Sequence, residues 1–96
     1  MTTPFRVLFS PRFERLLKKL VKHHPNVVDV YASAVAILKV DPHNVTCNYP
    51  IKKLEGVGSR EGQYRLRLGR WRFRYDISGE DVILQYCGLR REGTYG

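Results

Sequence analysis

Residues 63–77, QYRLRLGRWRFRYDI, alternate arginine with large apolar side chains on both sides of a glycine. Successive side chains of a β-strand point to opposite faces, so the apolar residues of each half share one face and the arginines share the other. Gly69 and Arg70 fit a two-residue turn between the halves. The stretch therefore predicts an antiparallel hairpin in which Leu68 lies opposite Trp71.

The same register brings four arginines together on the second face of the hairpin, with Arg67 opposite Arg72 and Arg65 opposite Arg74. Like charges placed directly across a ladder are destabilising, by about a few tenths to 1 kcal/mol per pair. One acid, Asp76, shares this face, and the hairpin contains no lysine. Because the planar guanidinium fork suits phosphate, we interpret the face as a phosphate-binding surface rather than an ordinary solvated sheet face.

Length and charge limit the class of protein. The 96 residues allow one domain, 1–96, and a hydrophobic content of 43% argues against disorder. A formal net charge of +8 indicates a partner that is a nucleic acid, an anionic membrane surface or an acidic protein. The chain has no apolar run near the roughly 20 residues that span a bilayer and no signal-peptide pattern, so we expect a cytoplasmic protein without membrane association.

The N-terminal half predicts a strand and two helices. Residues 5–9 read as the strand, after which Ser10 can cap a helix that has Pro11 at its first position. A second, more apolar helix is expected from about residue 27 to 39, ended by Asp41-Pro42. One face of the first helix collects the apolar positions Phe13, Leu16, Leu17, Leu20 and Val21.

The C-terminal half predicts three strands. Residues 42–62 read as mostly loop, with IKKLEG at 51–56 the most ordered part. The arginine hairpin follows, then a turn at 78–81 and an apolar strand at 82–87 that suits a position near the middle of the sheet. The order β-α-α-β-β-β predicts an α+β domain in which two helices pack on one face of a small, mainly antiparallel sheet and the first strand returns to pair with it.

Other kinds of site have little support in the sequence. The two cysteines and three histidines lack metal-ligand spacing, and GVGSREG at 56–62 lacks the lysine and helix of a phosphate-binding loop. Cys87, in an apolar strand, is expected to be a buried thiol. No metal or cofactor is expected.

The ordered set of segments resembles the RelE/ParE superfamily of toxins from bacterial and archaeal toxin–antitoxin modules. The resemblance rests on the strand and two helices, then DP at 41–42, KLEG at 53–56, the arginine hairpin and LRREGTY at 89–95, and it covers nearly the whole chain. The basic sheet and tail are more similar to the RelE branch, whose members cleave messenger RNA in the ribosomal A site, than to the ParE branch, whose members poison DNA gyrase.

The resemblance implies which residues form the site. Arg65 and Arg67 fall where RelE-type toxins place basic residues, often lysine, and Arg72 falls where they have an arginine after the hairpin turn. Arg90 matches an arginine after the last strand, and Tyr95 a tyrosine near the C-terminus. The further RNA-binding candidates are Lys52, Lys53, Arg74 and Arg91.

The chemistry implied is a metal-independent cleavage in which the ribose 2'-hydroxyl attacks the adjacent phosphate. Arg67 and Arg72 are candidates for the phosphate clamp, Arg90 for assisting the leaving oxygen, and Tyr95 for orienting a base. A guanidinium is a poor general base, so a different group must take up the proton. Lys52, Lys53 or Tyr95 could do so, or the ribosome could make proton removal the smaller part of the barrier.

Partners follow from the same resemblance: the ribosome, messenger RNA and a cognate antitoxin in a hetero-oligomer. The basic side of the first helix offers an acidic antitoxin segment a surface, formed by Arg12, Arg15, Lys18, Lys19 and Lys22. Two alternatives stay open, a ParE-like gyrase inhibitor without nuclease activity and a non-catalytic RNA-binding domain. The second needs exposed aromatic residues among the arginines, whereas alternation assigns Trp71, Phe73 and Tyr75 to the opposite face.

Overall fold

A computed structural model describes residues 4–89, in which two helices cover one face of a five-stranded sheet. The strand order is β1-β5-β4-β3-β2, with β1 parallel to β5 and all other pairs antiparallel. This is the expected α+β arrangement. The elements are β1 Arg6–Phe9, α1 Pro11–His23, α2 Val27–Val40, β2 Ile51–Lys53, β3 Tyr64–Leu68, β4 Trp71–Ser78 and β5 Asp81–Leu89. Within the described residues, neither helix is long and apolar enough to cross a lipid bilayer.

Helix α1 begins where the sequence predicts. The Ser10 hydroxyl accepts a hydrogen bond from the Phe13 backbone N–H at 3.1 Å, and Pro11 occupies the first turn. This contact satisfies one of the amide groups that a helix N-terminus leaves unpaired. Phe13 is fully buried, and the other apolar residues of the face pack against the core. The amphipathic pattern therefore fixes both the start of α1 and the side it turns to the sheet.

The arginine hairpin has the predicted register. Arg67 pairs with Arg72 and Arg65 with Arg74 across β3 and β4. Gly69 has a φ of +61°, which the first central position of a type II' turn requires. The apolar side of the hairpin faces the helices and supplies four buried core residues: Leu66, Trp71, Phe73 and Tyr75.

Strand β5 lies inside the sheet, between β1 and β4, and contains a bulge. Leu84 and Tyr86 pair with consecutive residues of β4, so Gln85 is the extra residue. Strict alternation from Leu84 would turn Tyr86 toward the core. Instead Tyr86 pairs with Arg74 on the arginine side, and Cys87 is buried, as the sequence predicts for this thiol.

Strand β2 is an ordered element within the stretch that the sequence assigned mostly to loop. Its three residues pair antiparallel with β3, which places Lys52 opposite Arg65. A strand this short shows too little alternation to be recognised from its sequence. It extends the arginine side of the sheet by one strand.

The loop before β2 is held by side chains rather than by regular structure. The Asp41 carboxylate accepts hydrogen bonds from the Val45 N–H at 2.8 Å and from the Thr46 N–H at 3.1 Å and hydroxyl at 2.6 Å. The buried Tyr75 hydroxyl donates to the Pro42 carbonyl at 2.7 Å, which ties the loop to β4. Burial raises the pKa of Tyr75 above its ordinary value of 10.0. These contacts hold the segment between α2 and β2 against the sheet.

Candidate nucleic-acid interface

The sheet face that points away from the helices carries two rows of side chains set by strand register. We call it the arginine face. The first row crosses four strands and consists of Lys52, Arg65, Arg74 and Tyr86. The second row consists of Arg67, Arg72 and Gly88. Directly opposed residues in a sheet have Cβ atoms about 4.5–5.5 Å apart, so the cationic side chains of these rows are neighbours.

Arg67 and Arg72 carry guanidinium nitrogens that lack a hydrogen-bond partner among the described residues. Among residues 4–89 neither forms an ion pair. The Nε atom of Arg67 and the Nε and Nη2 atoms of Arg72 are buried and have no hydrogen-bond partner within the same range. Leaving a buried donor unpaired costs about 1–3 kcal/mol, and more when the group is charged. The arrangement is therefore unfavourable for folding alone and suited to an anion with several acceptor oxygens.

Asp76 does not neutralise these two arginines. It is buried, and its carboxylate accepts hydrogen bonds from the backbone N–H groups of Gly62 at 3.2 Å and Gln63 at 2.9 Å. Arg74 holds the same turn, because its Nε donates to the Gly62 carbonyl at 3.1 Å. A Cβ on Gly62 would lie 2.7 Å from the Arg74 Cβ, so only glycine permits this approach. Arg74 therefore has a structural role in holding this turn, in addition to its position on the arginine face.

The two lysines of β2 separate onto different faces. Lys52 lies exposed in the first row of the arginine face, opposite Arg65. Lys53 pairs with Tyr64 and lies over its ring, with Nζ 5.8 Å from the ring centroid. Because consecutive residues of a strand point to opposite sides, the structure does not bring Lys53 to the arginines.

Three of the sequence-predicted site residues, Arg90, Arg91 and Tyr95, lie outside the described residues. The last described residue, Leu89, pairs with Trp71 beside the hairpin turn. Strand β5 therefore ends next to the second row of the arginine face.

Tyr86 and Gly88 are the site residues that sequence reasoning missed. Tyr86 is 37% exposed. Its ring lies over Gly88, because a Cβ on Gly88 would clash with the Tyr86 hydroxyl oxygen and come within 2.9 Å of Cζ. Gly88 is the partner of Arg72, so the tyrosine ring lies beside the second row as well as the first. The bulge at Gln85 places it there, and no alternation pattern signals a bulge.

Other reactive groups do not belong to this site. Burial raises the pKa of the Cys87 thiol to about 11, so the thiol is un-ionised at neutral pH and is a poor nucleophile. Cys47 is exposed on the loop before β2. Residues 4–89 contain no cluster of three histidine, cysteine or acidic side chains that could hold a metal ion. Among the described residues, the functional groups that the two rows of the arginine face offer to a ligand are therefore guanidinium, ammonium and phenol groups.

Comparison with known proteins gives one structural likeness. No protein-family model matches the chain, and no curated protein matches it in sequence. A similar solved structure is the crystal structure of the RelB–RelE antitoxin–toxin complex from Methanococcus jannaschii, with a TM-score of 0.48 and 19% identity over 85% of this chain and 88% of that one. A likeness of this size does not assign a family.

Proposed function

We propose that this protein is the toxin of a toxin–antitoxin module and acts as a metal-independent endoribonuclease on messenger RNA in the ribosomal A site. The observation that carries the proposal is the Arg67–Arg72 pair, whose buried guanidinium nitrogens lack partners among the described residues. The sequence resemblance to the RelE branch, which covers nearly the whole chain, supports the reaction type.

In the proposed reaction the substrate supplies its own nucleophile. The ribose 2'-oxygen forms a bond to the adjacent phosphorus and the bond from phosphorus to the 5'-oxygen breaks, which leaves a cyclic phosphate and a 5'-hydroxyl. Arg67 and Arg72 hold the phosphate and stabilise the charge that develops on its oxygens. Arg65 adds positive charge from the adjoining row, and Arg74 and Arg91 would contact neighbouring phosphates.

Proton transfer needs a group other than arginine. Lys52 is the lysine on the arginine face, whereas Lys53 lies on the other side of the sheet. Among the described residues Lys52 is therefore the candidate to take up the 2'-hydroxyl proton, which it accepts in its neutral amine form. Tyr95 remains a second candidate for that role and for orienting a base. Arg90 is proposed to assist the 5'-oxygen as it leaves, and the group that took up the 2'-hydroxyl proton returns a proton to that oxygen, which gives the 5'-hydroxyl.

A cognate antitoxin is the proposed partner in a hetero-oligomer, and the site of action is the cytoplasm. A groove along α1 is lined by Leu16 and five basic residues, Arg12, Arg15, Lys18, Lys19 and Lys22. Among these five basic residues, only Lys18 forms an ion pair within the part of the chain that the structure describes, with Glu14 at 3.1 Å. An acidic antitoxin segment fits such a surface.

The test is primer-extension mapping of a defined messenger on programmed ribosomes. Arg72→Ala should reduce A-site cleavage by at least about a hundredfold, the usual effect of removing one charge-stabilising donor, with nearly unchanged thermal unfolding. Arg70→Ala is the matched control, because Arg70 belongs to the same hairpin but lies at its turn. Unchanged cleavage by Arg72→Ala would remove this residue from the mechanism, and absence of cuts from folded wild type would lead to a supercoiling assay for gyrase inhibition.

A second function has one observation in its favour. A non-catalytic RNA-binding domain needs an exposed aromatic residue among its basic ones, and Tyr86 is such a residue. RNA binding by the wild-type protein without any cleavage on ribosomes would favour this alternative.

A further inference from the structure

On its β5 and β1 side the arginine face continues into a region without excess positive charge, where Arg6 forms an ion pair with Asp81 at 2.8 Å. Ile83 pairs with Asp76 and with Leu8, so these two apolar side chains share the sheet face of the arginines. Leu8 is exposed at 40%. Tyr86 lies between this apolar part and the arginine rows, opposite Arg74. The face therefore divides into a cationic half and a second half, in which the apolar Ile83 lies on β5 between Asp81 and the exposed ring of Tyr86.

This division matches the two chemical halves of a nucleotide. Phosphates are anionic and suit the cationic half, while the flat faces of nucleobases are apolar and stack on aromatic rings. We propose that Tyr86 is a base-stacking residue that binds the nucleobase next to the phosphate held by Arg67 and Arg72 in single-stranded RNA. The inference rests on the proposed function and adds a base subsite to it.

Two features of β5 build this subsite. The bulge at Gln85 turns Tyr86 out of the core and onto the arginine face. Gly88, having no side chain, leaves the space that the edge of the ring occupies beside Arg72, since a Cβ there would come within 2.9 Å of the ring atom Cζ. The tyrosine is thus held beside the cation that binds phosphate.

The experiment measures binding of a short RNA that carries 2-aminopurine and a 2'-O-methyl group at each ribose, which blocks cleavage. Stacking on an aromatic side chain quenches 2-aminopurine fluorescence. Tyr86→Phe keeps the ring and should bind with the wild-type affinity and quench. Tyr86→Leu should lose the quench and bind about 5- to 150-fold more weakly, the usual loss on removing one base–aromatic stack.

The matched control is Phe9→Leu, which removes another exposed aromatic ring from the sheet. Phe9 is exposed at 48% and pairs with Leu84, whose side chain is in the core, so it lies on the face opposite to the arginines. Its replacement should leave affinity and quench unchanged. Equal loss in the Phe9 and Tyr86 variants would overturn a specific role for Tyr86.

Gly88→Ala tests the subsite with the tyrosine intact. The added methyl group displaces the ring, and the far end of a side chain can move without disturbing the backbone, so the variant should fold normally and lose the quench. A wild-type quench from Tyr86→Leu, or weak binding by Tyr86→Phe, overturns the stacking role. Absence of any RNA binding and quench with wild type also overturns the base subsite, whereas the proposed function itself is contradicted only by absence of A-site cleavage on programmed ribosomes.

Discussion

At the scale of single residues, Asp41 shows how one side chain replaces regular structure. Its carboxylate binds two backbone N–H groups and the Thr46 hydroxyl, and it lies where α2 ends. The sequence predicts the end of the helix from Asp41-Pro42. It does not reveal the loop contacts, because these depend on the backbone conformation of an irregular segment in which no periodic pattern signals the turn. The Thr46 hydroxyl, and then the two N–H groups, lower the pKa of Asp41 below its ordinary value of 3.8.

Replacing Asp41 by asparagine should make the stability of the protein less dependent on pH in the acid range. A carboxyl whose pKa is lower in the folded state stabilises the fold fully above its unfolded pKa and loses that effect as the pH falls through the folded pKa. At pH 7 Asp41→Asn should therefore lower the free energy of unfolding by about 1.5–3 kcal/mol, the usual value for hydrogen bonds to a charged group.

Urea unfolding at pH 7 and near pH 2.5 measures the effect. The difference between wild type and Asp41→Asn should shrink at the lower pH, which is below the ordinary pKa of 3.8 for this group. Taking the difference cancels the titration of the other acids, Asp81 included, whose pKa the Arg6 guanidinium lowers. A difference that stays constant between the two pH values would show that the charge of Asp41 has no part in holding the loop.

At the scale of elements, the hairpin and the bulge mark the limits of sequence reasoning. Alternation over 64–68 and 71–75 specifies the register, because a shift by one residue would bury the arginines. The bulge in β5 comes from one extra residue in an apolar strand. Residues 82–87, VILQYC, have no alternation of apolar and polar side chains that would assign Tyr86 or Cys87 to one face of the sheet. The candidate site was therefore predictable on β3 and β4 and unpredictable on β5.

The two cysteines provide a chemical test of the bulge. When the bulge is present, Cys87 is 1% exposed, and burial raises the pKa of its thiol to about 11. Cys47 is exposed. Thiolate is the reactive form, so at pH 8 a thiol reagent should modify one cysteine rapidly in the folded protein and two after denaturation. Cys47→Ser should abolish the fast phase, and Cys87→Ser should leave it intact.

A strand without the bulge would give a different result. Cys87 would then alternate with Leu84 onto the arginine face, and the folded protein would show two rapidly modified thiols. That outcome would also remove the basis for placing Tyr86 beside Arg74, since both assignments depend on the same extra residue.

At the scale of the whole molecule, the positive charge is divided between two surfaces on opposite sides of the protein. The net charge of +8 predicts an anionic partner but does not distinguish these surfaces. The helices cover one side of the sheet, and α1 carries its basic residues outward there, whereas the arginines lie on the uncovered side. The fold class follows from the order of the periodic segments, while the separation of charge follows from how they pack.

The salt dependence of RNA binding should report the arginine face rather than the net charge. For single-stranded nucleic acid the logarithm of the association constant falls with the logarithm of salt concentration by about 0.7 for each phosphate contact. Four contacting arginines should therefore give a slope of about −2.8. Replacing Arg67 and Arg72 together by alanine should reduce the slope by about 1.4. The matched variant replaces Lys18 and Lys19 by glutamine, which removes the same formal charge from α1 and should leave the slope unchanged. Equal effects of the two double variants would mean that RNA responds to overall charge, and that the register of the hairpin does not form a phosphate site.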